Sequence, residues 1–307
     1  MKTALIFAGQ GSQYVGMAKS VFEMFPAAAE LIGRADDALG FSISSLCFDG
    51  PADKLKETRY TQPALFIHEA AVMEALGGKL NFDAVAGHSL GEYSALYAAS
   101  VLSFENALNL VALRGKLMFA AGETEPGAMA AVIGLDDEKV VEICKEISGG
   151  IGIVVAANFN SPGQVVVSGS ADTLRNNLTR FKEAGARMVT ELPVSGAFHS
   201  PLMEPARRKL AESLRNVDFA DAKVDVYCNS TAKPERNGAA LRERLVEQLV
   251  SPVLWTQTLA QMREDGAETF IEIGPGKVLQ GLVKRSLQGA TIKGIDTGDD
   301  VKSIMLG

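Results

Sequence analysis

The segment Gly87-His88-Ser89-Leu90-Gly91 sets a serine between two glycines. The pattern G-x-S-x-G is that of a nucleophile held on a sharp strand-to-helix corner. A serine hydroxyl is weak until a base takes its proton, and three histidines are present to supply one. His68 lies among Ala64, Leu65, Ala71 and Val72, in a segment apolar all round, and reads as a core histidine on a buried helix. His88 is the direct neighbour of Ser89, and adjacent strand residues point to opposite faces. His199 ends the strand-loop LPVSGAFH and precedes Ser200-Pro201, a helix N-cap with proline at the first helical position. The positive end of that helix disfavours an imidazolium there and leaves His199 neutral, as a general base must be. No acid suggests itself as a third triad member at a matching position, which leaves open a Ser-His dyad whose imidazole is oriented by a backbone carbonyl instead. The plainer alternative, a polar residue in a turn and a loop histidine, loses weight only if Ser89 follows a strand and precedes a helix.

Arg114 is the third group with chemical content. In SFENALNLVALRGKLMFAA it shares a helix face with Ala107, Leu110, Val111, Leu117, Met118 and Ala121. A guanidinium on an apolar stripe is costly unless an anion meets it. Either a structural salt bridge or a pocket arginine gripping a substrate carboxylate through two parallel hydrogen bonds satisfies that demand. These residues alone leave both open. The loop GQGSQ fails as a phosphate cradle, since Tyr14 stands where G-x-G-x-x-G needs its last glycine, and Met17-Ala18 stand where a P-loop needs lysine and a hydroxyl. IEIGPGK reads as an ordinary strand-turn-helix junction.

The elements that must hold these groups alternate. TALIFA and FDAVAGHS are short apolar strand candidates, each ending in a glycine-containing turn. Tyr14 to Phe25 reads as helix, and so does TQPALFIHEAAVMEAL, with Pro63 in its first turn. LGEYSALYAASVL is a helix directly after the elbow, so Ser89 does occupy a strand-to-helix corner. Such alternation implies a mostly parallel sheet covered on both faces. Between Gly127 and Val194 the order becomes β-α-β-β-α-β, a ferredoxin-like unit. The expected fold class is α/β: a large α/β-hydrolase-like domain of residues 1–126 and 195–307, with an inserted ferredoxin-like subdomain of residues 127–194.

Bulk properties bound the function. The 307 residues are 47% hydrophobic, enough for a substantial core. A formal charge of −7 argues against a basic nucleic-acid binder. Cys47, Cys144 and Cys228 are widely spaced, with no C-x-x-C, so neither a disulfide framework nor a metal site is signalled, and a reducing cytoplasm is the expected location. No apolar run is long enough to span a bilayer, and the N-terminus lacks a signal-peptide core.

The set FAGQGSQ, TQPAL, GHSLGEYSAL, ALRGKLM, NSPGQVVVSG, VSGAFHS, VEQLVSPVLW and IEIGPGKVL closely resembles, in order and over nearly the entire chain, the malonyl-CoA:acyl-carrier-protein transacylases of fatty acid synthesis. The resemblance implies that Ser89 is acylated and that His199 is the base. It implies that the backbone N–H groups of Gln10 and Leu90 form the oxyanion hole and that Arg114 binds the malonyl carboxylate. Gln248, counted with Arg114 and Phe198 among the substrate-site residues, would orient His199 through its main-chain carbonyl. Phe198 resembles the bulky residue of malonyl-selective members, while Ala197 stands where many bacterial members carry proline. The implied partners are malonyl-CoA and acyl carrier protein, with no cofactor, metal, nucleic acid or membrane. Arg207, Arg208, Lys209, Lys284 and Arg285 are candidates to meet an acidic carrier protein. A serine thioesterase or hydrolase, or a non-catalytic carrier-docking module, are the alternatives.

Overall fold

The computed structural model describes residues 2–150, 152–194 and 196–306. The expected return of the chain to its large domain at Ser195 lies outside them. Two sheets organise the described residues. The first has six strands in the order β10-β9-β1-β2-β7-β8, namely β1 (Lys2–Phe7), β2 (Ala84–Gly87), β7 (Asp225–Tyr227), β8 (Pro234–Glu235), β9 (Ala267–Ile273) and β10 (Thr291–Ile295). All neighbours are parallel except the short edge pair β7 and β8. Parallel strands must be covered on both faces. Accordingly Leu5, Phe7, Val85 and Ile273 point into one core, and Ile6, Ala86 and Phe270 into another with Trp255 and Leu282.

The second sheet is antiparallel, in the order β4-β5-β3-β6: β3 (Gly127–Ile133), β4 (Val154–Ser161), β5 (Gln164–Ser170) and β6 (Met188–Glu191). Helices Asp137–Ser148 and Ala171–Glu183 cover one face over a core of its own that includes Val132, Ile143, Val167, Leu174 and Phe181. The fold is thus the expected mixed α/β arrangement, a mostly parallel sheet with a β-α-β-β-α-β unit beside it.

Two local expectations differ. Tyr14–Phe25 is not one helix: Gly16 and Ala18 have φ of +104° and +65°, and the helix starts only at Lys19. The helix carrying His68 runs Thr58–Leu76, so Pro63 lies inside it rather than in its first turn. There it leaves the Arg59 carbonyl without its usual helical donor.

Candidate active site

β2 ends at Gly87 and the helix Gly91–Ala98 begins four residues on, so the chain reverses around Ser89. Ser89 has φ of +54°, a left-handed conformation that residues with a side chain rarely hold. The flanking glycines make the corner possible. A Cβ on Gly87 would lie 1.8 Å from the carbonyl carbon of Gly91, and one on Gly91 would lie 2.2 Å from the carbonyl oxygen of Phe7. Gly9 is under similar pressure, its imaginary Cβ 2.5 Å from the His88 carbonyl oxygen. That close approach brings the loop after β1, with Gln10, against the elbow.

His199 also has a positive φ, +56°, and is 4% exposed. Its Nε2 lies 2.8 Å from Ser89 Oγ and its Nδ1 lies 2.9 Å from the main-chain oxygen of Gln248. A carbonyl can only accept, so the proton sits on Nδ1 and Nε2 is free to accept from the serine hydroxyl. Burial, followed by the nearby Arg114 charge, lowers the imidazole pKa to about 3. The neutral ring was expected from a helix dipole, yet the segment after Ser200 opens with a 3-10 turn, Pro201–Met203, before the helix Glu204–Leu214. Loss of water is the larger cause. Ser200 does cap that turn, its Oγ accepting from Leu202 N at 3.3 Å and donating to the Ala197 carbonyl at 2.6 Å.

Arg114 lies on the helix Phe104–Thr124 and is 1% exposed. Its Nη1 donates to Gln62 Oε1 at 2.8 Å, and its Nη2 donates to Gln248 Oε1 at 2.9 Å and to Ser89 Oγ at 3.0 Å. The Tyr93 ring lies 5.7 Å from the guanidinium carbon. Among the described residues no carboxylate forms an ion pair with Arg114, so the salt-bridge alternative finds no partner there. A buried cation held by neutral acceptors and aimed at the serine hydroxyl is arranged to receive an anion.

Ser89, His199, Arg114, Gln10, Leu90 and Phe198 line one cavity of about 140 Å³, with Met129 and Val166 entering from the antiparallel sheet. Leu90 immediately precedes the helix, so its N–H lies where no preceding turn offers an acceptor. Gln10 is fixed through its side chain, Nε2 donating to Thr58 Oγ1 at 3.1 Å. Phe198 packs over Gly196, where a Cβ would lie 2.4 Å from its ring. Gln248 is 1% exposed and reaches Ser89, Arg114 and His199 from behind the cavity rather than lining it. A larger groove of about 580 Å³, between the helices Glu204–Leu214 and Gly238–Gln248, shares no lining residue with this cavity. Arg207 and Arg208, carrier-docking candidates on the first of these helices, both bond Glu204.

Three residues of the site carry roles that sequence reasoning did not assign. Asn229 Oδ1 accepts from Ser89 N at 2.7 Å, and its Nδ2 donates to the Gly87 carbonyl at 2.7 Å, clamping the elbow from the turn that follows β7. Gln62 holds Arg114. Glu92 is fully buried on the elbow helix, and burial raises its pKa to about 7 against the opposing effect of hydrogen bonds from Gln248 and Asn229. Glu92 carried a readable signal, since an acid in the apolar run LGEYSAL poses the same question as Arg114 in its stripe. Asn229, 140 residues from its partner, carried none.

Residues 4–303 match the model of the acyl transferase domain family. The malonyl CoA-acyl carrier protein transacylase of Staphylococcus aureus (strain COL) is 44% identical over 301 residues, 98% of this chain and 97% of its own. The crystal structure of an acyl carrier protein S-malonyltransferase from Vibrio cholerae superposes with a TM-score of 0.94 at 38% identity, covering 99% of this chain and 100% of its own. A structure of a type II PKS acyl-carrier protein in complex with its malonyl-transacylase has a TM-score of 0.95 at 39% identity over 100% and 99% of the two chains. With the family model spanning residues 4–303 and a relative 44% identical over 98% of the chain, the chain belongs to the acyl transferase domain family.

Proposed function

We propose that this protein transfers a malonyl group from coenzyme A to the phosphopantetheine thiol of acyl carrier protein, by a ping-pong mechanism through a malonyl-Ser89 ester. The observation that carries the reading is the buried guanidinium of Arg114, 3.0 Å from Ser89 Oγ and with no carboxylate of its own among the described residues. An acyl chain that ends in a carboxylate supplies the missing anion at the right distance from the reacting hydroxyl. Relatives named as malonyl transacylases at 44% identity support the same substrate.

His199 Nε2 takes the Ser89 proton as Oγ attacks the thioester carbonyl, and the carbonyl oxygen becomes an oxyanion facing the N–H groups of Gln10 and Leu90. Collapse of this intermediate expels coenzyme A as its thiol, which takes the proton back from His199. The carrier thiol then gives its proton to His199 and attacks the serine ester through the same oxyanion, and Ser89 leaves with that proton. Main-chain Gln248 keeps the ring in the required tautomer, taking the place of a triad acid. One thioester replaces another at nearly equal energy, so the reading calls on neither nucleotide nor metal.

Phe198 and Met129 bound the space beside the acyl group. Residues 127–194 form one wall of the cleft, and residues 1–126 with 195–307 carry the reacting groups. The carrier protein approaches this cleft, with Lys209, Lys284 and Arg285 as candidate contacts for its acidic surface. Among the described residues no helix is long and apolar enough to cross a membrane.

Intact-mass measurement after mixing with malonyl-CoA tests the reading. Wild type should gain one malonyl group and Ser89→Ala none, and added holo carrier protein should discharge the adduct. Free malonate released without acceptor would instead point to a hydrolase, and an unlabelled Ser89 to a docking module.

A further inference from the structure

Gln248 touches all three reacting groups, which raises the question of what fixes Gln248 itself. Its Nε2 carries two hydrogens. One goes to the Ser89 carbonyl at 2.8 Å and the other to Glu92 Oε2 at 2.8 Å. With its amino end committed to two acceptors, its Oε1 must face the guanidinium, as it does at 2.9 Å. A flipped amide would set Oε1 against two oxygens and its NH2 against a cation. The same Glu92 Oε2 accepts from the main-chain N–H of Asn229 at 3.1 Å, and Asn229 clamps the Ser89 N–H. One buried oxygen therefore ties together the two amides that hold Ser89 on its two sides.

We propose that Glu92 is a positioning residue for malonyl recognition: its Oε2, acting through Gln248, keeps Arg114 aimed at the substrate carboxylate. Oε2 accepts whether or not the other carboxyl oxygen bears a proton, so the role needs the acceptor and not the charge. Removing the acceptor leaves a Gln248 hydrogen and the Asn229 N–H buried without partners. The network then relaxes through the Gln248 side chain, which can turn about its own torsions where the Asn229 main chain cannot, and Arg114 loses one of its three acceptors. Any loosening of Ser89 through Asn229 and Gln248 falls on both donors alike, whereas the malonyl donor alone also loses the aimed Arg114.

The inference rests on the malonyl-transfer reading, which the wild type and Arg114→Ala test in the same assay. The measurement is kcat/KM for malonyl-CoA and for acetyl-CoA in Glu92→Leu, Glu92→Gln and Glu92→Asp, with labelling of Ser89 by an uncharged fluorophosphonate as a check of the nucleophile. Glu92→Leu should lower the malonyl-to-acetyl ratio by about tenfold or more, with Ser89 labelling reading separately the loss that both donors share. Glu92→Gln, which keeps an acceptor oxygen, should hold the ratio within about threefold. In the Arg114→Ala background, Glu92→Leu should not lower it further. If the leucine variant does not fold, Glu92→Asp carries the test, with a smaller fall expected. An unchanged ratio in the variant that carries the test, equal losses for both donors, a glutamine variant as impaired as leucine, or a further fall without Arg114 would each overturn the proposal. A normal Arg114 result beside any of these sinks the Glu92 role alone.

Discussion

His199 Nδ1 is bonded to the main-chain carbonyl oxygen of Gln248, not to a carboxylate. Such a carbonyl fixes the tautomer without placing a negative charge beside the ring, so imidazolium gains little help and the base stays weak but correctly aimed. The bond survives any substitution at Gln248, and under the proposed mechanism His199 is the side chain whose removal disables proton transfer. His199→Ala should lower acyl transfer by about 10²- to 10⁴-fold. Malonyl and acetyl donors should suffer alike, since both need the same proton removed. Steady-state rates with the two donors check this, and a loss confined to malonyl would assign His199 to carboxylate binding instead.

The pH dependence follows from burial. With its pKa lowered to about 3, chiefly by desolvation and then by Arg114, His199 is already neutral across the mildly acidic range. The rate of Ser89 labelling by an uncharged fluorophosphonate should show no inflection near the ordinary histidine value of 6.5, its acid limb lying below about pH 5. The stability consequence has a definite sign. The folded pKa lies below the unfolded one, so the unfolded chain takes up a proton the native state refuses, and stability present above pH 6.5 is lost as pH falls towards 3. His199→Gln should therefore lose less melting temperature than wild type between pH 7 and pH 4.5.

Among the described residues Arg114 has three neutral acceptors and no carboxylate bonded to it, so substrate selectivity should concentrate in it. Arg114→Ala removes one partner of a buried charge pair and should cost malonyl transfer about 10²- to 10³-fold in kcat/KM, while acetyl transfer falls far less. Arg114→Lys should recover only a small part, since an ammonium cannot present two parallel donors while also keeping Gln62 and Gln248 bonded. Competition between malonyl-CoA and acetyl-CoA in one tube measures the ratio directly. Equal losses for both donors would remove the carboxylate role.

The groups proposed to react were readable because each breaks a local pattern. Ser89 interrupts an apolar strand with a G-x-S-x-G turn, and Arg114 interrupts an apolar stripe. The strand-helix alternation was readable through apolar runs such as TALIFA, which packs both faces of β1. β10 had no such signal: it is an edge strand, mostly exposed, with Lys293 and Gly294 in it. Breaks at Gly16 and Ala18 were hidden because a positive φ at alanine is set by tertiary contacts, not by composition. Asn229 and Gln62 act on partners 140 and 52 positions away, and no local pattern encodes such a meeting.

Strain at Ser89 should be separable from its chemistry. At φ of +54° an L-residue with a Cβ pays about 1–2 kcal/mol that glycine does not. Ser89→Ala and Ser89→Gly both delete Oγ, with its bonds to His199 and Arg114, and both should abolish the malonyl adduct. They differ in whether a Cβ is forced into the left-handed corner. Glycine raises the entropy of the unfolded chain, which offsets part of the gain, so Ser89→Gly should exceed Ser89→Ala in unfolding free energy by about 1 kcal/mol. Urea denaturation of the two inactive variants, with equal m-values as a control, reads that difference without any contribution from the lost hydroxyl. An alanine variant as stable as the glycine one would mean that the elbow holds Ser89 without strain, and that its exposure to substrate comes from the Gly87 and Gly91 approach alone.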